Sequence, residues 1–263
     1  MHSPVNILEV DDLKKTYPGR QSVLQGVSLR IEAGSVTGFI GLNGAGKTTT
    51  IRIIAGLLTA DSGQVKVFGR AITHDDVEYK RGLGFVLDEP LYFDWMDPME
   101  YLQFVGMMYG LSAEEANARS EELLEFFDLS GRRGDLIRTF STGMKKKVSL
   151  AAAVIHKPRL IILDEPFEGI DALAASAIKE ALLMMVERGM TVMITSHVLA
   201  TIEKLCSHIT VIHHGSVILQ GTTAEVKRRA RSRARTDSDE QTLEELFIDL
   251  VSPRLQKKPL SFF

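Results

Sequence analysis

Apolar and polar residues alternate in short segments over roughly the first 70 positions of the chain. Residues 22–41 (SVLQGVSLRIEAGSVTGFIG) and 63–69 (GQVKVFG) show this alternation, and glycine-containing turns separate the segments. Alternation with a period of two predicts β-strands. A helical pattern intervenes, which begins in the sequence GKTTT, continues through IRIIAGLL at 51–58 and ends near residues 61–63.

The spacing of apolar residues becomes helical between about residues 91 and 157. Asp97 is followed by a proline and, three residues after the aspartate, by Glu100, which is the sequence of a helix N-terminus with a capping box. Ser112 and Glu115 have the same spacing. These signals predict that a mostly helical segment interrupts the strands.

Strands return after this segment, in the sequences RLIIL, MTVMIT, ITVIH and SVILQG. A helix from about Asp171 to Arg188, ending at Gly189, separates the first two of them. Strands that alternate with helices predict an α/β domain with a mostly parallel sheet that is covered on both faces. The expected organisation is a domain at 1–224, with a core at about 1–87 and 158–221 and a helical subdomain at about 88–157, followed at 225–263 by a basic linker and a short C-terminal helix or tail.

The sequence GLNGAGKT, from Gly41 to Thr48, fits the phosphate-binding pattern G-x-x-x-x-G-K-[ST]. It follows the apolar run VTGFI, a predicted buried strand, and precedes a helix, which is the context that the motif requires. The glycines let backbone N–H groups point at a phosphate, and the helix N-terminus adds its positive dipole end. Lys47 would then contact the β- and γ-phosphates, and the hydroxyl of Thr48 would bind Mg²⁺.

The four letters LDEP occur twice, within GFVLDEP at 84–90 and within LIILDEP at 160–166. The second copy follows four consecutive apolar residues, a pattern typical of a central parallel strand. Asp164 would therefore lie at the carboxyl end of that strand, where open α/β sheets bind their ligands. We predict that Asp164 binds Mg²⁺ and that Glu165 orients the attacking water.

The first copy follows a weaker strand, because Gly82 and Gly84 indicate an edge or a bend. Asp88 and Glu89 are expected to form a hinge that leads into the helical segment, close to the nucleotide but not its main metal site. The flanks of the two copies do not match over a longer span, so we interpret the repeat as coincidence and not as duplication.

Composition narrows the functional classes. The chain has 263 residues, 44% of them hydrophobic, and a formal net charge of −3, so no global field draws it to nucleic acid. A single cysteine, Cys206, excludes an intramolecular disulfide framework and suits a reducing compartment. The first residues lack the pattern of a signal peptide, and the apolar stretches are far shorter than the roughly 18–20 residues of a spanning helix. We therefore expect any membrane role to run through a partner.

A further motif, FSTGMKKK at 140–147, lies between the two nucleotide motifs. With it, the chain resembles the ATP-binding subunit of ABC transporters over nearly its whole length: residues 41–48 match the Walker A motif, 160–165 the Walker B motif and 140–147 the signature sequence. The resemblance implies an α/β P-loop NTPase fold, with a RecA-like parallel sheet, an antiparallel β portion and an inserted α-helical subdomain.

The resemblance also implies roles for individual residues. Ser141 and Gly143 would complete the nucleotide pocket of the opposite subunit, Tyr17 would stack on adenine, Asp171 would belong to the D-loop and His197 would contact the γ-phosphate. Tyr17 is otherwise a strand-edge tyrosine, and Asp171 also suits a helix N-cap. The motifs and the resemblance together give the catalytic residues Lys47, Glu165 and His197, the nucleotide-binding residues Tyr17, Gly41, Asn43, Gly44, Ala45, Gly46, Lys47, Thr48, Thr49, Ser141, Gly143 and Asp171, and the metal ligands Thr48, Asp164 and Asp88.

The sequence departs from the family pattern in two places. Thr142 and Met144 replace the second glycine and the glutamine of the usual signature, and this form resembles the branch that serves exporters of drugs, antibiotics, ions or lipids. Asp88 stands where the family has the glutamine of the Q-loop, so the first LDEP copy resembles a Q-loop with an altered residue.

The expected function is that of an ATPase subunit that dimerises around ATP and Mg²⁺, with itself or a sister subunit, and powers a separate membrane permease from the cytoplasmic side, in the direction of export. The alternative is a non-transport ABC ATPase with a regulatory or assembly role. The acidic net charge and the lack of a long coiled-coil insert argue against DNA maintenance. The adjacent reading frame distinguishes the two, because a transporter subunit predicts a hydrophobic six-helix neighbour.

Two segments keep open alternatives. Tyr92, Phe93 and Trp95 either form a socket for the permease or pack within the helical segment's own core. Residues 227–235, KRRARSRAR, hold six basic side chains, which either solvate a helix end and linker or contact anionic lipid headgroups.

Overall fold

The computed structural model of the chain describes residues 5–19, 22–73, 76–88, 92–234 and 241–251. Glu89, in the first LDEP copy, and residue 235, at the end of the basic run, lie outside the described residues. The strands are β1 (Asn6–Thr16), β2 (Ser22–Glu32), β3 (Val36–Ile40), β4 (Ser62–Val67), β5 (Arg70–Ala71), β6 (Leu83–Val86), β7 (Leu160–Leu163), β8 (Thr191–Thr195), β9 (His208–His213) and β10 (Ser216–Thr222). The helices are α1 (Lys47–Ile54), α2 (Pro98–Met108), α3 (Ala113–Phe126), α4 (Thr142–Val154), α5 (Ala172–Glu187), α6 (Leu199–Leu205), α7 (Thr223–Ala234) and α8 (Leu243–Val251).

The strands form two sheets. A four-stranded sheet has the order β2-β1-β4-β5 and is antiparallel. A six-stranded sheet has the order β10-β9-β3-β8-β7-β6, in which neighbours from β9 to β6 are parallel and β10 pairs antiparallel to β9. The expected combination of a parallel sheet with an antiparallel β portion is therefore confirmed.

The second LDEP copy follows a strand that is buried on both faces. All four residues of β7 are buried. Ile161 and Leu163 pack in a hydrophobic cluster with α4 and α5, whereas Leu160 and Ile162 pack in a second cluster with α1 and the antiparallel sheet. Successive side chains of a strand point to opposite faces, so a continuous apolar run is what a central strand covered on both faces requires.

The first LDEP copy follows an edge strand, the first of the two alternatives that the glycines predicted, because β6 ends the six-stranded sheet. Gly84 has a packing role there: a Cβ atom at this position would lie 2.2 Å from the backbone oxygen of Ala153 in α4. The ring Nε2 of His156, just beyond α4, lies 2.8 Å from the backbone oxygen of Leu83. The end of α4 is thus packed directly against β6.

The predicted N-caps stabilise the first turns of α2 and α3. The side chain of Asp97 accepts a hydrogen bond from the Glu100 N–H, and the Glu100 side chain accepts one from the Asp97 N–H, which completes the capping box. Ser112 accepts from the Glu115 N–H at 3.1 Å. Each such cap contributes about 1 kcal/mol.

The C-terminal part forms two helices. Residues 227–234, expected to be a helix end and linker, continue α7 because Val226 and Ala230 bury their side chains against the core. Glu203 in α6 joins these helices: one carboxylate oxygen accepts from Lys227 Nζ at 2.6 Å and the other accepts from the Leu243 N–H at 3.0 Å. Helix α8 is therefore docked on the domain by its apolar face.

Candidate active site

A cleft of about 960 Å³ opens at the edge of the parallel sheet where the predicted motifs meet. The register brings the ends of β6, β7 and β8 side by side, because Val86 pairs with Leu163 and Leu163 pairs with Ile194. The cleft is lined by Val23, Gly41, Leu42, Asn43, Gly44, Gly46, Lys47, Thr48, Thr49, Asp88, Asp164, Glu165, Glu168, Ser196, His197, Leu199, Glu244, Phe247 and Ile248.

The loop from Gly41 to Gly46 connects β3 to α1 and is packed tightly. A Cβ atom at Gly41 would lie 2.5 Å from the Ile212 backbone oxygen. Gly46 has a φ of +111°, and a Cβ atom there would lie 2.5 Å from a side-chain atom of Leu24. Both positions therefore require glycine, one for a close approach and the other also for its backbone conformation.

Lys47 is the first residue of α1 and is only 7% exposed. Its Nζ donates a hydrogen bond to the Gly41 backbone oxygen at 2.8 Å, so the side chain folds back across the loop. An ammonium group here, beside backbone N–H groups at a helix N-terminus, forms a site that suits a phosphate.

Asp164 lies at the end of β7 and is 2% exposed. One carboxylate oxygen accepts a hydrogen bond from Thr48 Oγ1 at 3.1 Å, and the other accepts from Thr195 Oγ1 at 2.5 Å. The structure thus brings together the hydroxyl and the carboxylate that were predicted to bind Mg²⁺, which prefers oxygen ligands. Asp88 is an exposed residue of the same cleft, beyond the end of β6.

Glu165 has a left-handed backbone, with a φ of +49°. For a residue other than glycine this conformation costs roughly 1–3 kcal/mol and persists only where neighbours fix it. The Glu165 N–H donates to Thr195 Oγ1 at 3.0 Å. The carboxylate lies 3.0 Å from Nδ1 of His197 and accepts from the His197 N–H at 3.2 Å. Glu165 and His197, predicted separately, therefore contact each other.

The comparisons with known proteins agree with this geometry. The family model described as ABC transporter matches residues 24–168. This chain belongs to the ABC transporter family. It is the ATP-binding subunit, an ATPase that powers transport, and the predicted family and the P-loop NTPase fold are confirmed.

Several relatives of this ABC subunit are ATP-binding proteins of bacterial transporters. The linearmycin resistance ATP-binding protein LnrL of Bacillus subtilis is 40% identical over 223 residues, which cover 85% of this chain and 71% of the relative. EcsA, an ABC-type transporter ATP-binding protein of the same species, is 34% identical over 94% of this chain and 97% of the relative. The daunorubicin/doxorubicin resistance protein DrrA of Streptomyces peucetius is 35% identical over 85% and 68%.

Solved structures of ABC ATPases have the same fold. The ATP-binding subunit of an ABC transporter superposes with a TM-score of 0.83 at 34% identity, covering 93% of this chain and 99% of that chain. CbiO1 of Clostridium perfringens, part of the cbiONQ transporter complex, superposes with a TM-score of 0.75 at 27% identity, covering 87% and 95%. In the described part of this ABC subunit, no helix combines the length and hydrophobicity of a membrane span.

Five of the predicted nucleotide contacts of this ABC subunit do not line the cleft, and one of them, Ala45, is buried within the phosphate loop itself. Ser141 is the N-cap of α4 and accepts from the Met144 N–H at 3.3 Å. Asp171 is the N-cap of α5 and accepts from the Ala174 N–H at 2.8 Å. Gly143 lies beside Ala174, so these two helix starts are neighbours. Among the described residues that line the cleft, neither these three residues nor Tyr17 is present.

Other parts of the ABC subunit's cleft were not among the predicted site residues. Glu168 lies within 4.8 Å of Glu165 and His197, measured between possible metal-ligand atoms, and α8 contributes Phe247 and Ile248 to the wall. The proximity of Glu168 to the Walker B motif was a usable signal. No sequence signal indicated that α8 lines the cleft, because the position of that helix depends on its hydrogen bond with Glu203.

Proposed function

We propose that this ABC subunit binds ATP together with Mg²⁺ in the cleft. We also propose that its side chains catalyse the attack of water on the γ-phosphate, which breaks the bond between the β- and γ-phosphates. The observation that carries the proposal is the hydrogen bond between Thr48 and Asp164, which are 116 residues apart in the chain. These two residues would hold Mg²⁺, with Asp88 nearby. When bound, Mg²⁺ neutralises charge on the β- and γ-phosphates.

Glu165 and His197 are proposed to act on the attacking water. The Glu165 carboxylate faces the cleft and would accept a proton from water or orient it. His197, whose N–H already donates to that carboxylate, would fix it and contact the γ-phosphate. Lys47 would exchange its hydrogen bond with the Gly41 backbone oxygen for one with the β- and γ-phosphates.

Two chains are proposed to sandwich two ATP molecules. ABC ATP-binding subunits dimerise, and in this chain Ser141 and Gly143 lie at a helix N-terminus away from the chain's own cleft. An exposed helix N-terminus attracts anions, so it can complete a phosphate site in a second copy or a sister subunit. Leu42 in the phosphate loop and Leu173 in the first turn of α5 both expose apolar side chains. Such side chains suit the apolar core of an interface between two subunits.

A Ser141→Arg variant is expected to bind ATP as a monomer and to fail to dimerise, because a bulky side chain would occupy the space of the second subunit's phosphates. Size-exclusion chromatography with ATP and Mg²⁺ measures this in the Glu165→Gln background, which is expected to retain bound ATP. Ser112→Arg is the control, since Ser112 also caps a helix but lies outside the signature. Normal ATP-dependent dimerisation of Ser141→Arg would contradict the composite site.

The subunit is proposed to drive an exporter permease from the inner face of the membrane. The signature form and the relatives named for drug resistance support the direction of transport. ABC ATP-binding subunits work with membrane permeases, which favours this role over the regulatory or assembly alternative.

The aromatic residues Tyr92, Phe93 and Trp95 were predicted either to contact the permease or to pack within the core of the helical segment, and their environments differ in this respect. Tyr92 packs against the core, and its hydroxyl is hydrogen-bonded to Ser149 at 2.8 Å. Phe93 contacts three other aromatic rings. Trp95, in contrast, is 66% exposed. We propose that Trp95 is the permease contact and that Tyr92 and Phe93 support it.

A Trp95→Ala variant is expected to keep its basal ATPase rate and to lose most of the stimulation by the permease. The residue lies outside the cleft, and loss of a central interface tryptophan costs roughly 2 kcal/mol or more. ATPase assays with and without the permease in liposomes test this. Met108→Ala is the matched control, because Met108 is 72% exposed on the same helical segment. Full stimulation of Trp95→Ala would exclude the contact.

A further inference from the structure

Lys146 lies in the middle of the signature helix α4 and is buried, with 8% of its surface exposed. Its ammonium group donates a hydrogen bond to the backbone oxygen of Glu165 at 2.6 Å. The helix that begins at the signature therefore contacts the catalytic loop of the same chain directly. A buried ammonium group is unfavourable unless it is paired and hydrogen-bonded. The hydrogen bond to Glu165 therefore offsets part of the cost of burying the Lys146 ammonium group.

The surroundings of Lys146 are acidic. Burial lowers the pKa of the Lys146 ammonium group, and the nearby carboxylates of Asp88, Glu168, Glu165 and Asp164 oppose that effect. These four acids all line the nucleotide cleft. Lys146 thus lies behind the cleft as a cation that interacts with both LDEP copies, from Asp88 in one to Asp164 and Glu165 in the other.

Glu165 is the residue that this contact restrains. Its left-handed backbone is held from two sides: Thr195, at the end of β8, accepts a hydrogen bond from its N–H, and Lys146 donates one to its carbonyl oxygen. Because the two partners belong to different elements, the direction of the Glu165 side chain depends on the position of α4 relative to the sheet. A conformation that is unfavourable by itself requires such support.

We propose that Lys146 is a positioning residue for hydrolysis, which holds the Glu165 carboxylate in its reactive orientation from within the signature helix. The inference rests on the proposed role of Glu165. It means that a movement of α4, when a second subunit engages Ser141, changes the orientation of the carboxylate in the same chain. Lys146 would then link ATP-driven association to the timing of hydrolysis.

The test is a Lys146→Met variant, which keeps the length and the apolar stem and removes the ammonium group. Lys147→Met is the matched control, because Lys147 also donates to a backbone oxygen, that of Phe127 at 2.9 Å, on the other side of the same helix. We expect kcat for ATP to fall about tenfold in Lys146→Met, as for one lost charge-assisted hydrogen bond. KM for ATP and the affinity for a fluorescent ATP analogue should change less than about twofold.

Two further variants separate positioning from stability. Lys146→Arg retains a donor and is expected to recover kcat to within about threefold of the wild type. In the Glu165→Gln background, Lys146→Met should have no additional effect on the residual rate, because both changes remove the same function. Thermal unfolding of each variant reports folding independently of these rates.

The inference is overturned if Lys146→Met matches Lys147→Met in kcat, or if Lys146→Met lowers the rate by the same factor when Glu165 is already glutamine. An equal loss in Lys146→Met and Lys146→Arg with a lowered unfolding midpoint in both would assign Lys146 a structural role and also overturn it. A fully active Glu165→Gln enzyme would instead show that the proposed role of Glu165 is wrong.

Discussion

A Glu165→Gln variant is expected to hydrolyse ATP at least about 10²-fold more slowly than the wild type, since general-base groups contribute on this scale. The amide has nearly the same shape as the carboxylate. Its oxygen can still accept the hydrogen bond from the His197 N–H, so the fold and the cleft should be retained. ATP affinity should stay within about twofold, because phosphate binding depends on the loop that contains Lys47.

The same variant should accumulate as an ATP-bound dimer, because the nucleotides that hold the two subunits together are no longer hydrolysed. Size-exclusion chromatography with ATP and Mg²⁺ would show this species, and ADP in place of ATP is the control. Hydrolysis at the wild-type rate would remove Glu165 from its proposed role, and slow hydrolysis without a dimer would separate the catalytic proposal from the sandwich proposal.

Much of the fold could be predicted because local rules agree with tertiary structure. The apolar run of β7 predicted a strand covered on both faces, and the two hydrophobic clusters on either side of it confirm that prediction. Gly82 and Gly84 predicted an edge or a bend, and β6 is an edge strand. The cap at Asp97 is likewise determined within four residues of sequence.

Features that depend on distant packing could not be predicted. The charge of residues 227–234 predicted a solvated helix end plus linker, whereas the structure continues α7 through them and buries Val226 and Ala230 against the core. The position of α8 at the cleft depends on Glu203, 40 residues before Leu243. Nothing in the local sequence of either segment carries that information.

The candidate site divides in the same way. Motif spacing identified Thr48 and Asp164 individually, and the parallel register then brought them within a hydrogen bond. No local pattern predicted the left-handed backbone of Glu165, or the side chains of Thr195 and Lys146 that hold it. Residue type and spacing can predict chemistry, but the orientation of a reactive group depends on neighbours from other elements.

The two LDEP copies lead to the last prediction, in which Asp164→Asn and Asp88→Asn differ in kind. Asp164 is buried between two hydroxyl groups, so an asparagine there keeps the packing but removes the charge that would bind Mg²⁺. Metal-dependent hydrolysis should fall by at least about 10²-fold, to near the background. Asp88 is exposed at the rim of the cleft. Its asparagine variant should keep ATP affinity and lose about tenfold in basal rate, equivalent to about 1.4 kcal/mol.

The larger effect of Asp88→Asn should appear in coupling to the permease. Asp88 follows β6, against which the end of α4 packs, and its carboxylate interacts with Lys146 within that helix. The ATPase rates of both variants, measured with and without permease in liposomes, decide the matter. Equal collapse of the basal rates would make Asp88 a primary metal ligand. Full permease stimulation of Asp88→Asn would show that this residue only ends a strand and has no part in coupling. Lost stimulation with a modest decrease in basal rate would instead assign the two LDEP copies to different tasks, because the buried copy would serve hydrolysis and the exposed copy would serve coupling.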